Sequence, residues 1–79
     1  MNLRKSIALR IKEIMKDRNL TGYALFKMTG VPQSTISTLI NGETKTINLS
    51  TIYEICSGLN IELSEFFDVK NMKLENLED

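Results

Sequence analysis

Apolar residues in the first part of the chain recur at the spacing of one helix face. Ile7, Ile11 and Ile14, with Ala8 and Met15 beside them, predict a helix from Leu3 to about Arg18, and Lys5, Lys12, Lys16 and Asp17 fall on its other side. Asn19 ends this run. Thr21 offers a cap oxygen to a short second helix, Gly22 to about Thr29, with Ala24, Leu25 and Met28 facing inward. Gly30 supplies the permissive backbone of a helix stop. Pro32 starts a third helix where its missing N–H costs nothing, and this helix runs to Asn41 with Ile36, Leu39 and Ile40 apolar. After a polar loop, Asn48 caps a fourth helix, Leu49 to about Leu59. Its expected inner face is Leu49, Ile52, Cys56 and Leu59, with Ile55 flanking. A fifth, Leu63 to Phe67, brings Phe66 and Phe67 to close a small core. No β-like alternation longer than a few residues occurs, so the expected fold is all-α, a compact five-helix domain.

Length narrows the organisation. A chain of 79 residues has room for one domain, placed at residues 1–68, and a tail, residues 69–79. The tail carries Met72, Leu74 and Leu77 amid charge, and either frays or faces a partner. The core is thin, and dimerisation would add to its stability. No apolar run is long enough for a membrane span and no signal-like segment opens the chain, which reads as a cytoplasmic protein. One cysteine, Cys56, and no histidine exclude an internal disulfide, the usual zinc spacings and every Ser-His or Cys-His pair. No metal, cofactor or enzymatic reaction is therefore expected. Cys56 reads as a small buried hydrophobe.

A formal net charge of zero conceals a division. Residues 1–48 hold eight Lys and Arg against three acids, and residues 49–79 hold two against seven. A basic half suits a polyanion, with the acidic half turned away from it. Two solvated helix faces of chance polarity would give the same counts.

The second and third helices, joined by a short turn containing Gly30, form a helix-turn-helix pattern. In that geometry the outer face of the second helix of the pair enters a DNA major groove. Removing the inward Ile36, Leu39 and Ile40 leaves Gln33, Ser34, Thr35, Ser37 and Thr38, an uncharged row of donors and acceptors. Gln pairs with adenine N6 and N7, Ser and Thr reach several base edges, and a Thr methyl can touch a thymine methyl. Ser and Thr are poor helix formers, so a surface without a task would more simply use Glu, Lys and Ala.

At these residues the sequence resembles a known family. LTGYALFKMTGVPQSTISTLING, Leu20 to Gly42, followed by NLSTIYEICSGLNIELSEFF, Asn48 to Phe67, is similar to the Cro and phage-repressor (XRE-type) helix-turn-helix regulators. The similarity runs from about Ile7 to Phe67 and includes the Gly30-Val31 turn, the Ile36-Ser37 pair and the Asn41-Gly42 end. It implies a lambda-repressor-like DNA-binding domain acting on double-stranded DNA as a homodimer at a partly palindromic operator. It further implies that Gln33, Ser34, Thr35 and Thr38 face bases, and that backbone N–H groups near Gly22 and Tyr23, with Asn41 and Lys45, hold phosphates. Among the remaining cations Lys27 is the one expected to join them, while Arg10, Lys12, Lys16 and Arg18 are expected to solubilise. For Tyr23, a phosphate contact through its hydroxyl and simple cover of the core edge stand side by side.

Three positions depart from the family pattern. Gly22 replaces a Gln whose side chain touches phosphate, which leaves a backbone N–H to bind the anion. Phe26 replaces a small residue and must fill space beside the recognition helix or tilt it. Met15 and Ile40 replace an Arg and a Glu, an apolar exchange that leaves no orphan charge. A transcriptional repressor is the function these residues support. The competing reading is an antitoxin-like module that binds a toxin or antirepressor protein through residues 69–79. Helix 5 and the tail are the expected dimer face, from Phe66, Phe67 and Val69.

Overall fold

The structure, a computed structural model, describes residues 2–44 and 46–78; Lys45, one of the expected phosphate ligands, lies outside the described residues. Five α-helices follow one another: α1 Leu3–Asp17, α2 Gly22–Thr29, α3 Gln33–Ile40, α4 Leu49–Leu59 and α5 Leu63–Phe67. Two 3-10 turns, Lys70–Met72 and Leu74–Asn76, follow, and no strand forms among the described residues.

Local chemistry sets the helix ends. Side-chain oxygens of Asn2, Thr21 and Asn48 accept the N–H groups of Lys5, Ala24 and Ser50 at 2.9, 3.0 and 3.0 Å, satisfying donors that the first turn leaves open. Gly30 closes α2 at φ 78°, a left-handed conformation natural to glycine, and Asn60 closes α4 at φ 57°. Pro32 stands one residue earlier than expected. Its ψ of 144° is extended, so it is the cap of α3 and Gln33 is the first helical residue.

Helix α2 packs on α4 and α3, and α1 packs on α3. The core draws on every helix: Ile7, Ile11 and Ile14 of α1, Leu25 of α2, Ile36 and Leu39 of α3, Ile52, Ile55, Cys56 and Leu59 of α4, and Phe66 of α5. Val31 and Ile61, from the connecting turns, complete it. Ile55 is therefore a core residue rather than a flank. Two expected inner residues lie outside: Leu49 has the right phase but occupies the first position of α4, before its packed turns, and is 64% exposed. Met28 is also exposed, because α2 meets α4 there through its backbone rather than its side chain. A Cβ on Gly58 would lie 2.6 Å from Met28 O and 2.7 Å from Thr29 Cα, so only glycine admits this approach.

Two arginines expected to solubilise have structural work instead. Arg10 Nε donates to Phe66 O at 2.7 Å and its Nη2 to Glu65 O at 2.9 Å, with Glu13 pairing on the outer side. Arg18 Nη1 donates to Leu59 O at 2.6 Å. Neither α4 nor α5 has a basic residue in its last turn, so these guanidinium groups satisfy the terminal carbonyls and complement the negative ends of both helices.

Met15, Phe26 and Ile40 are half-buried against the core, so the positions that depart from the family pattern are packed as apolar ones. Phe66 is fully buried and offers nothing to a dimer surface, whereas Phe67 is only half-buried. The tail lies partly along α1. Ser6 Oγ donates to Asn71 O at 3.0 Å, Met72 packs against the core, and Asn76 Nδ2 donates to Lys70 O at 2.8 Å.

Candidate nucleic-acid interface

The side chains that α3 leaves outside the core form one continuous arc. In order around the helix these are Gln33, Ser37, Ser34, Thr38 and Thr35; the first four are exposed and Thr35 is half-buried at the edge. Core positions Ile36 and Leu39 hold the opposite side at 2% and 4% exposure, which fixes the rotation of the helix and so the direction of the arc. Thr38 Oγ1 donates back to Ser34 O at 2.9 Å.

Thr29 anchors the turn that presents α3. Its hydroxyl donates to Leu25 O at 2.7 Å and accepts the N–H of Val31 at 3.2 Å, tying the last turn of α2 to the buried turn residue. A Thr next to a helix-stopping Gly is the signal for such a tie, and it was not singled out from the sequence.

Clefts flank α3 on both sides. One, of about 260 Å³, is lined by Gly22, Gln33, Ser37 and Asn41 over Ile36 and Ile40, and so brings together two expected phosphate ligands and one expected base reader. Thr21 takes the N–H groups of Ala24 and Leu25, which leaves those of Gly22 and Tyr23 without an internal acceptor among the described residues. Two open amides at the positive end of α2 suit an anionic oxygen. Asn41 gives its own N–H to Ser37 O at 3.0 Å, so its exposed side chain is what remains for a ligand.

The other cleft, also about 260 Å³, lies between α3 and the start of α4 and is lined by Thr35, Thr38, Thr44, Thr46, Asn48 and Thr51. Its hydroxyl groups outside α3 were not anticipated, although the Thr44 to Thr46 stretch was legible as a polar loop. Thr44 Oγ1 donates to Thr46 O at 2.7 Å.

Tyr23 and Lys27 stand apart from these clefts. Tyr23 is 56% exposed, its ring lies 6.1 Å from that of Phe26, and Lys27 Nζ lies 6.0 Å over its face. The pair forms an exposed cation-aromatic patch on α2.

Cys56 is buried, and that burial pushes its thiol above the ordinary value. Among the described residues no group of three or more His, Cys, Asp and Glu is placed to hold a metal ion, and no helix is long and apolar enough to cross a membrane.

The sequence profile of the Cro/C1-type HTH DNA-binding domain matches residues 10–77. Among solved structures, the chain is similar to an HTH_3 family transcriptional regulator from Vibrio cholerae. The TM-score is 0.76 and the identity 31%, over 81% of this chain and 35% of the regulator's. The chain thus spans about a third of that regulator's length. No curated protein is similar enough to count as a relative. On the match over residues 10–77, the chain belongs to the Cro/C1-type helix-turn-helix DNA-binding domain family.

Proposed function

We propose that the chain is a sequence-specific, double-stranded-DNA-binding transcriptional regulator of the cytoplasm, a repressor that occupies a partly palindromic operator as a homodimer. The observation that carries this reading is the exposed, uncharged arc of α3 beside the open amides of α2. Gln33, Ser34, Thr35 and Thr38 would read base edges while the N–H groups of Gly22 and Tyr23, the Asn41 side chain, Lys27 and Lys45 grip the flanking phosphates. Two such helices would enter successive major grooves ~34 Å apart, and bound protein would block access to the promoter.

For the dimer face we assign Leu49, Tyr53 and Leu63 in place of Phe66. These are exposed apolar residues of α4 and α5, and Tyr53 and Leu63 line a cleft of about 320 Å³ between the two helices. Tyr53→Glu should convert a dimer in sedimentation to a monomer with unchanged helicity.

Selection of bound fragments from random duplex DNA at ~150 mM salt tests the function. A palindrome with half-sites centred ~10 base pairs apart is expected. Weak, sequence-blind retention that salt abolishes would refute it.

A second reading rests on Leu74, which is 88% exposed in the tail. An apolar side chain held outward between Lys73 and Glu75 supports a docking segment for a toxin or antirepressor protein. Because Ser6 and Met72 tie the tail to the domain, Leu74→Asp is a cleaner test than truncation. It should abolish partner capture and leave operator binding intact.

A further inference from the structure

The arc of α3 is narrow in its chemistry. The whole helix, QSTISTLI, carries no charged side chain, and the described residues that line the clefts on either side are uncharged. From this we infer that the base pairs read by Gln33 and Thr38 are A·T pairs, so that each half-site carries A·T at the positions these two residues contact. The inference rests on the DNA-reading function proposed above and specifies its substrate.

Guanine shows two acceptors, O6 and N7, in the major groove and is most often read by the paired donors of Arg or Lys; the amino group of cytosine is read by Asp or Glu. The helix has none of these. Gln33, exposed in its first turn, carries an amide with one acceptor and one donor group side by side, which matches the N6 donor and N7 acceptor of adenine. Against guanine the Gln33 carbonyl would face O6, acceptor against acceptor.

Thr38 narrows the choice further. Its single hydroxyl proton is donated to Ser34 O at 2.9 Å, and while that bond is kept the proton is not offered to a guanine acceptor. What Thr38 has left to offer a base edge is chiefly its methyl group, which fits the thymine C5-methyl and finds no counterpart on cytosine. The cation of α2, Lys27, lies over the Tyr23 ring rather than beside the arc.

The test is selection from random duplex DNA with the full chain, followed by binding measurements on the selected site. The expected motif has A·T pairs at the positions that respond to changes at Gln33 and Thr38. Replacing the A·T pair opposite Gln33 by G·C should weaken binding ~5- to 150-fold, and Gln33→Arg should move the preference at that position to G·C. Replacing thymine by uracil opposite Thr38 should cost roughly fourfold, the worth of one buried methyl. Thr38→Val keeps the methyl and should feel that loss as wild type does, whereas Thr38→Ser should be indifferent to it. Both Thr38 substitutions lie on an exposed position, and circular dichroism verifies their folding. A reproducible motif with G·C pairs at those positions, or a Thr38→Val variant that ignores the thymine methyl, would overturn the A·T inference while leaving the DNA-reading function standing. Retention without any enriched motif would overturn both.

Discussion

Replacement of Gly58 by Ala isolates the contact that seats the helix-turn-helix on the rest of the domain. Gly58 lies near the end of α4, and an added Cβ would meet Met28 O at 2.6 Å, Thr29 Cα at 2.7 Å and the Thr29 methyl at 2.8 Å. Ordinary contact begins at 3.4 Å, so the shortest approach falls short by about 0.8 Å. Two of the three atoms belong to the backbone of α2, and no rotamer change moves them. The two helices must separate or shift. Ala is worth ~1 kcal/mol over Gly in a helix interior, and overpacking costs ~1–3 kcal/mol. A clash against backbone belongs at the upper end, which leaves a net loss of ~2 kcal/mol. For a domain of this size that is a fall in Tm of about 8–16 °C, read by circular dichroism at 222 nm. Gly22→Ala is the internal control. Its Cβ meets nothing within 4 Å, its backbone N–H is retained, and stability should rise by ~0.4–1 kcal/mol. A Gly58→Ala variant as stable as wild type would show that helix propensity outweighs the contact and would refute the close-packed seat.

Four further outcomes are expected. Gln33→Ala should cost ~1–3 kcal/mol on the best operator and relax choice at one base position, whereas Lys45→Ala should weaken all sequences alike and lower the salt slope by about one; titration on the selected site and on scrambled DNA separates them. Arg10→Met keeps much of the side-chain volume but leaves Phe66 O and Glu65 O without their donor, and should lower stability by ~2–3 kcal/mol in urea unfolding; a loss below ~0.5 kcal/mol would contradict the capping role. Thr29→Val removes both hydrogen bonds of the turn and should cost ~1–2 kcal/mol, while Thr29→Ser should stay near wild type. Because burial raises the Cys56 thiol above its ordinary value, native protein at pH 8 should resist an aromatic disulfide reagent that labels it fully in urea, and stoichiometric native labelling within seconds would contradict its burial.

Features set by neighbouring residues were legible in the sequence. Thr21 and Asn48 cap the helices they were expected to cap, and Gly30 closes α2, because a side-chain oxygen or a left-handed backbone acts within three residues of itself. The apolar phase of α1 was equally plain, since Ile7, Ile11 and Ile14 define one face whatever packs upon it. Features set by distant partners were not. Leu49 and Met28 carry the right residue type and phase, yet their exposure depends on how far each helix extends past its neighbour. Arg10 and Arg18 were expected in solvent because their acceptors are backbone carbonyls 56 and 41 residues away, and a carbonyl at a helix end leaves no mark in residue type. The site divides in the same way. The polar row of α3 was legible because hydrogen-bonding chemistry resides in Gln, Ser and Thr themselves. The meeting of Gly22, Gln33 and Asn41 at one cleft depends on the angle between α2 and α3, which no single segment encodes.

The same distinction bears on what charge says about the DNA face. Eight cations against three acids in residues 1–48 invite the picture of a basic surface wrapped on phosphate. Arg10 and Arg18 leave that picture, since both are engaged with the ends of α5 and α4. The recognition helix itself contributes no charge. On the reading proposed above, the groove meets neutral hydrogen-bonding groups and open backbone amides, with lysines at the flanking phosphates. On that reading the phosphate contacts carry no sequence information, and discrimination between sequences comes from matched donors, acceptors and methyl groups at base edges. The basic half reflects in part the arginines that hold the scaffold together, and the neutral arc of α3 is the better guide to what the protein reads.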